Sequence, residues 1–126
     1  MKYPTYVLIT PARNEEAYLD RTIRSVTSQT ILPECWVIVS DGSTDRTDEI
    51  IQDQAGHHGW IRFVRRPDHA GRQFAAKAHA FAAGYAVVRG APHDIVGNLD
   101  ADVSCGPDTM AFLMGRFSED PGLGVA

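Results

Sequence analysis

Short apolar runs alternate with helical patterns along this chain, and that alternation restricts the fold more than any other feature. Residues 6–9, 36–39, 61–64 and 95–99 are apolar runs typical of buried strands. Between and after them, apolar residues recur at the three- and four-residue spacing of a helix face. Strands that alternate with helices form parallel sheets with right-handed crossovers. The sequence therefore predicts an α/β fold, with a mostly parallel sheet and helices on both of its faces.

The predicted helices have recognisable ends and apolar faces. Ser43 or Thr44 is expected to cap the second helix, and Gly56 to stop it. Pro107 suits the first turn of the last helix. The residues expected to face the core are Leu19, Ile23, Val26, Ile50, Ile51, Phe74, Ala78, Phe81, Tyr85, Met110, Leu113, Met114 and Phe117.

The bulk composition narrows the class of protein. The 126 residues are enough for one domain with a core, and the net charge of −4 argues against a nucleic-acid partner. The apolar run at residues 6–9 is too short for a signal peptide, and no run approaches the roughly 20 residues of a membrane helix. Cys35 and Cys105 are predicted to be buried thiols. We expect a cytoplasmic protein, at the membrane face if the full-length protein has membrane helices.

The last residues predict a domain that continues. Residues 122–126 are similar to the opening of a fifth strand. We therefore expect residues 1–126 to be the N-terminal part of a longer catalytic domain whose acceptor half is absent. A sheet that is cut in this way exposes unpaired backbone groups, so self-association through the cut edge is expected.

Polar loops follow every predicted strand at one edge of the sheet. Ligands of open parallel sheets bind at this edge, beyond the carboxyl ends of the strands. The loops are residues 10–15, 40–45, 65–72 and 100–102. We expect them to converge on one site.

Asp100 and Asp102 are the sharpest feature of these loops. Two carboxylates that are two residues apart, just past a strand, can face one side of an extended backbone and repel each other. A hard divalent cation that bridges carboxylate and phosphate oxygens relieves this repulsion. Alone, Asp-x-Asp is more often a solvated turn. The preceding apolar strand and the neighbouring polar loops favour a metal site instead.

The second loop and the basic residues allow two interpretations each. Asp41 and the residues after it have ordinary turn and N-cap composition. Alternatively, Asp41 hydrogen-bonds a base or ribose while Gly42 lets the ligand approach the backbone. Arg13, Arg72 and Lys77 are candidates to offset pyrophosphate charge, although surface solvation is the commoner role for any single basic residue.

Three motifs, in this order and spacing, resemble those of family 2 glycosyltransferases. They are Pro-Ala-Arg-Asn-Glu at 11–15, Asp-Gly-Ser-Thr-Asp at 41–45 and Leu-Asp-Ala-Asp at 99–102. Residues 25–30 match the first helix of the same family. The resemblance implies the Rossmann-like glycosyltransferase A fold. It also implies transfer of a sugar from a nucleotide-diphosphate sugar to an acceptor hydroxyl or lipid phosphate, generally with inversion.

The resemblance implies roles for individual residues. Asp41 would contact the nucleobase, Asp100 would lie near the ribose and the metal, and Asp102 would ligate Mn²⁺ or Mg²⁺ against the diphosphate. The catalytic base would follow residue 126. The residues assigned to nucleotide-sugar binding are Pro11, Ala12, Arg13, Glu15, Asp41, Arg72, Lys77, Asp100 and Ala101.

The chain departs from the family pattern at four positions. Arg13 stands where tyrosine is common, and Ser40 replaces a frequent aspartate. Lys77 and His79 replace a frequent asparagine and glycine on the third helix. Whether the donor is a UDP- or a GDP-sugar, and whether the acceptor is a saccharide or a lipid phosphate, stays open.

Three other classes of protein share parts of this pattern. A dinucleotide-binding oxidoreductase would need Gly-x-Gly-x-x-Gly after the first strand, and residues 11–15 contain no glycine. A sugar-nucleotide nucleotidyltransferase usually carries a glycine-rich basic loop at the same place, and this chain lacks that loop. A donor-binding module that lacks catalytic activity stays open.

Overall fold

The predicted alternation of strands and helices is confirmed. In the computed structural model, residues 3–67, 76–120 and 122–124 are described. The elements are β1 (Tyr6–Ala12), α1 (Leu19–Thr27), β2 (Cys35–Asp41), α2 (Thr47–His57), β3 (Ile61–Arg66), α3 (Ala76–Val88), β4 (Ile95–Asn98) and α4 (Thr109–Glu119). The predicted fifth strand at residues 122–126 falls partly outside the described residues.

The first three strands run farther than the apolar runs suggested. Parallel pairing with β2 continues to Ala12, which lies opposite Ser40, and pairing with β3 continues to Asp41, opposite Arg66. Pro11 is tolerated within β1 because the β4 ladder ends at Asn98, opposite Ile9, so β1 is paired on one side only at the proline. Several residues expected in loops therefore lie on strands.

The sheet is parallel throughout, with the order β3-β2-β1-β4. The chain first steps from β1 to β2 to β3 and then returns to the other side of β1. Because crossovers are right-handed, the returning helix α3 must cover the opposite face from α1 and α2. The strand order reverses between β1 and β4, and ligands of such sheets bind at that point.

Two apolar clusters, one on each face, hold the helices to the sheet. One includes Trp36, Leu19 of α1, Ile51 of α2 and Met114 of α4, whereas the other packs Ala80 and further α3 residues on the sheet. Helices on both faces are therefore confirmed. Within the described ranges, no helix is long and apolar enough to span a membrane.

The buried face of α3 differs from the predicted one. Ala80, Gly84 and Val88 face the sheet, while Ala78 and Tyr85 are exposed and Phe81 is half-buried. The helix packs so closely on the sheet at position 84 that an added β-carbon would lie 2.6 Å from Ile9 Cγ2. Small residues therefore occupy the face of α3 that contacts the sheet. Phe74 lies outside the described residues.

Three smaller predictions also need correction. The second helix begins at Thr47 and ends at His57, so neither Ser43 nor Thr44 caps it. Helix α4 begins at Thr109, beyond Pro107. Cys35 is buried as expected, whereas Cys105 is only half-buried.

An apolar groove lies between β4 and α4, beside the edge of the sheet. It has a volume of about 1200 Å³ and is lined by residues that include Ile95, Leu99, Met110, Leu113 and Phe117. Within the described sheet, β4 is paired only with β1, so its other side faces this groove.

Candidate functional site

The loops after β1 and β2 are joined by hydrogen bonds. Asn14, held at a φ of 52°, donates from its backbone N–H to Ser43 Oγ at 3.1 Å and accepts at Oδ1 from the Thr44 N–H at 2.8 Å. The Glu15 N–H donates to Thr47 Oγ1 at 2.9 Å. Asparagine tolerates a positive φ better than most residues do. Ser43 and Thr44 therefore serve the contact between loops, which local sequence patterns do not reveal.

Asp45 secures the start of α2 and ties it to the first loop. Its Oδ1 accepts from the N–H of Thr47 at 2.9 Å, and its Oδ2 accepts from the N–H of Glu16 at 3.2 Å. Partial burial tends to raise the pKa of Asp45, but the hydrogen bonds from Thr47 and Glu16 outweigh it and hold the pKa below its usual value. The carboxylate thus stays ionised and fixed in place.

Asp41 ends β2 as a buried carboxylate that is paired with Arg66. It is 5% exposed, and Arg66 Nη1 donates to its Oδ1 at 3.2 Å. Arg13 Nη1 donates to its backbone carbonyl at 3.2 Å. Gly42, at a φ of 70°, turns the chain away and bonds from its N–H to the Arg66 carbonyl at 3.0 Å. The guanidinium of Arg66 offsets the cost of burying the Asp41 charge.

The sequence interpretation missed Arg66, although a usable signal exists. Arg66 is the parallel neighbour of Asp41 in the β2–β3 ladder. If the predicted third strand is extended from Val64 to Arg66, the parallel register places Arg66 beside Asp41.

Ser40 belongs to a second network that was also missed. Its hydroxyl, which is buried, donates to Asp48 Oδ1 on α2, and Arg65 Nη1 donates to Asp48 Oδ2 at 2.5 Å. An aspartate at position 40 would place a second carboxylate against Asp48. This packing explains in physical terms why serine stands here.

The turn after β4 exposes two aspartates around a buried alanine. Ala101 is buried, and its carbonyl accepts from Thr22 Oγ1 of α1 at 2.9 Å. Asp100 and Asp102 are exposed on either side of it. Lys77 Nζ, on the first turn of α3, lies 3.7 Å from Asp100 Oδ1. The anchored alanine thus holds the turn while both carboxylates stay open to a ligand.

Electrostatics link this turn to the first loop. Burial raises the pKa of Glu15, the neighbouring charge of Asp102 raises it further, and Lys77 opposes the rise. Asp45 and Asp100 add smaller upward contributions. Side chains from three loops and from α3 therefore share one acidic region at the edge of the sheet.

The remaining predicted residues occupy different environments. Pro11 is half-buried on β1, whereas Ala12 is buried in the core. Arg72 lies outside the described residues. Among the described residues, no group of three or more His, Cys, Asp or Glu side chains could hold a metal ion by itself.

Comparison with known proteins decides the family. The model of glycosyl transferase family 2 matches residues 7–126. The chain belongs to this family. The chondroitin synthase of Pasteurella multocida (strain Pm70) is 29% identical over 119 residues, which are 94% of this chain and 11% of that protein. The 4,4'-diaponeurosporenoate glycosyltransferase of Staphylococcus haemolyticus (strain JCSC1435) is 33% identical over 98 residues, 76% of this chain and 24% of that protein.

Solved structures confirm the glycosyltransferase A fold for this family 2 chain. A mannosyltransferase from Pyrobaculum calidifontis, in complex with GDP-Man and Mn²⁺, superposes with a TM-score of 0.74 at 24% identity, over 98% of this chain and 35% of that one. TarS 1-349 from S. aureus, in complex with UDP-GlcNAc, superposes with a TM-score of 0.70 at 20% identity, over 97% of this chain and 37% of that one. The chain thus spans between about a tenth and two fifths of these relatives' lengths.

Proposed function

We propose that this chain is the donor-binding part of a glycosyltransferase. The enzyme would transfer a sugar from a nucleotide-diphosphate sugar to an acceptor hydroxyl or lipid phosphate, with metal dependence and inversion at the anomeric carbon. One observation carries the proposal. The buried Asp41, the exposed Asp100 and Asp102, and Lys77 all lie at the carboxyl edge of the sheet, where the strand order reverses between β1 and β4.

Asp41 is the proposed contact of the base. Its carboxylate can only accept hydrogen bonds when ionised, and both uracil and guanine present ring N–H donors. Arg66 fixes one carboxylate oxygen, and Gly42, at a positive φ, turns the chain directly after Asp41. This chemistry suits a UDP- or a GDP-sugar equally well, and structural neighbours hold UDP-GlcNAc and GDP-Man. Pro11, Arg13 and Glu15 would line the base and ribose beside it.

The residues present fit a divalent cation that is shared with the substrate. Asp102 and Asp100 offer the oxygen ligands that Mn²⁺ and Mg²⁺ prefer, and such ions are often held by one or two carboxylates together with substrate phosphates. Among the described residues, no group of three or more acidic, His or Cys side chains could hold a metal ion, so the proposed site needs the substrate phosphates as ligands. When bound, the cation would neutralise charge on the leaving diphosphate. Lys77, and Arg72 from its loop, would add positive charge there.

We assign no acceptor base within residues 1–126. Asp41 is buried and paired with Arg66. Asp100 and Asp102 are proposed to serve the donor side. This chain alone is therefore proposed to bind donor without transferring the sugar. We also propose a cytoplasmic location for the protein.

The proposal is tested by thermal unfolding with UDP, GDP and AMP, each with and without Mn²⁺. Ligand at a hundredfold excess over its dissociation constant should stabilise the fold by about 2.7 kcal/mol. The stabilisation should be larger with UDP or GDP than with AMP, and larger with Mn²⁺ than without it. A response that is equal for all nucleotides and independent of metal would contradict the proposal.

Asp102→Asn tests the proposed metal ligand in the same assay. It is close to isosteric, and Asp102 is exposed, so the fold should persist while the metal-dependent part of nucleotide binding is lost. Asp53→Asn removes the same charge from the exposed side of α2 and serves as the control. If Asp102→Asn keeps the full response to Mn²⁺, Asp102 is a turn residue and not a ligand.

A further inference from the structure

Lys77 places a positive charge against one of the two exposed aspartates of the β4 turn. Its ammonium lies 3.7 Å from Asp100 Oδ1, and the side chains of Lys77 and Asp100 are 78% and 50% exposed. Both groups are thus open to solvent and to a ligand. Helix α3 is held close to the sheet by Gly84, so the lysine starts from a packed backbone.

Among the described residues, negative charges outnumber positive charges around Lys77. Glu15, Asp100 and Asp102 carry three carboxylates in the same acidic region. Asp102 and Asp100 raise the pKa of Glu15, and Lys77 lowers it. A bound diphosphate would add further negative charge. Positive charge is therefore required at this place, and Lys77 can supply one unit of it before any cation arrives.

We propose that Lys77 is a built-in counter-ion that makes nucleotide binding partly independent of divalent metal and weakens binding of the metal alone. This inference rests on the proposed function. Lys77 and the cation both neutralise Asp100, so each reduces the benefit of the other, and their like charges repel. A diphosphate, by contrast, is attracted by both. Lys77 thus shifts part of the metal's role to the protein.

The expected change in affinity follows from the exposure of the Lys77–Asp100 ion pair. Exposed ion pairs at such distances are worth a modest amount, which corresponds to roughly a two- to fivefold change in a dissociation constant. The change should shrink at high salt, because exposed charges are screened. A larger effect would require burial that Lys77 does not have.

The test uses Lys77→Asn and calorimetry at low salt, with three titrations. Mn²⁺ alone should bind roughly two- to fivefold more tightly to the variant than to the parent. UDP and GDP in EDTA should bind more weakly by a similar factor. The enhancement of nucleotide binding by Mn²⁺ should therefore be larger in the variant. A merely structural role for Lys77 would not move the two affinities in opposite directions.

Two control variants keep the outcome unambiguous. Lys77→Arg retains the charge and should behave as the parent does. Arg89→Gln removes an exposed positive charge just beyond the other end of α3 and should change neither affinity.

The possible failures are distinguishable. If the parent binds nucleotide with Mn²⁺ but Lys77→Asn matches it in all three titrations, this inference is overturned and the proposed function stands. If Lys77→Asn weakens Mn²⁺ and nucleotide together, the inference is also overturned, because Lys77 then supports the whole site. If no nucleotide binds to the parent under any condition, the proposed function fails and the inference falls with it.

Discussion

Gly84→Ala tests the contact between α3 and the sheet, on which the position of Lys77 depends. An added β-carbon would lie 2.6 Å from Ile9 Cγ2, 3.0 Å from Val37 Cγ1 and 3.2 Å from Val39 Cγ2. Carbon atoms in optimal contact are about 3.5–4.0 Å apart. All three neighbours are fully buried, β-branched side chains on the two central strands, so they have little freedom to turn away. The helix must therefore move outward.

The expected change in the free energy of unfolding of Gly84→Ala follows from two opposing contributions. Overpacking a core by one carbon costs about 1–3 kcal/mol, while replacing glycine with alanine inside a helix gains about 1 kcal/mol. The expected net loss for Gly84→Ala is about 1–2 kcal/mol, because three contacts are short at once. Gly56→Ala, in α2, is the matched control: its added β-carbon meets nothing within 4 Å. That variant should gain up to about 1 kcal/mol.

Urea denaturation of the parent and both variants provides the measurement. The variants should shift the midpoint in opposite directions without changing the slope, since neither alters the surface exposed on unfolding by much. The difference between them isolates the overpacking cost, because the helix-propensity gain is common to both. Equal stabilisation by Gly84→Ala and Gly56→Ala would refute the close packing of α3. The placement of Lys77 beside Asp100 would then lose its support.

Three further predictions concern the site and the sheet edge. Asp41→Ala should weaken UDP and GDP binding by the same factor with and without Mn²⁺, as measured by calorimetry; a loss confined to the metal-bound case would contradict a contact with the base. The pKa of Glu15 is raised, so its ionised form disfavours the fold at neutral pH, and this penalty fades as the pH falls through the folded-state pKa. Glu15→Gln should therefore raise Tm at pH 7 and raise it less towards pH 4, whereas a gain independent of pH would exclude this origin. The side of β4 that is unpaired within the described sheet, together with its apolar groove, should cause concentration-dependent self-association in light scattering, and a monomer at all concentrations would count against it.

Sequence periodicity was sufficient for the architecture but not for the ends of the elements. Apolar runs mark where a strand is buried on both faces, and they stop where the strand becomes polar. The ladder continues beyond that point, to Asp41 and Arg66, because backbone pairing does not depend on side-chain polarity. For this reason the charged pair at the edge of the sheet was invisible to a rule based on hydrophobicity.

The face of α3 shows a second limit of the same rule. Large apolar residues such as Tyr85 suggested a buried stripe, but the closest approach to the sheet requires Ala80 and Gly84. Side-chain size, and not hydrophobicity, decides which face of this helix meets β1 and β2. The hydrogen bond that Ser43 Oγ accepts likewise comes from Asn14, 29 residues earlier in the chain, and no local sequence pattern encodes it.

The two ends of the candidate site differ in how firmly they are held. At the end proposed for the base, Asp41 is buried and bonded to Arg66, and the loops after β1 and β2 are hydrogen-bonded to each other before any ligand arrives. At the end proposed for the diphosphate, Asp100 is half exposed and is paired with a flexible lysine side chain. Fixed groups lose little conformational freedom on binding, whereas exposed ones must be ordered by the ligand. Recognition of the base should therefore contribute most of the affinity that the protein supplies alone, while the cation and Lys77 order the diphosphate end once the nucleotide is in place.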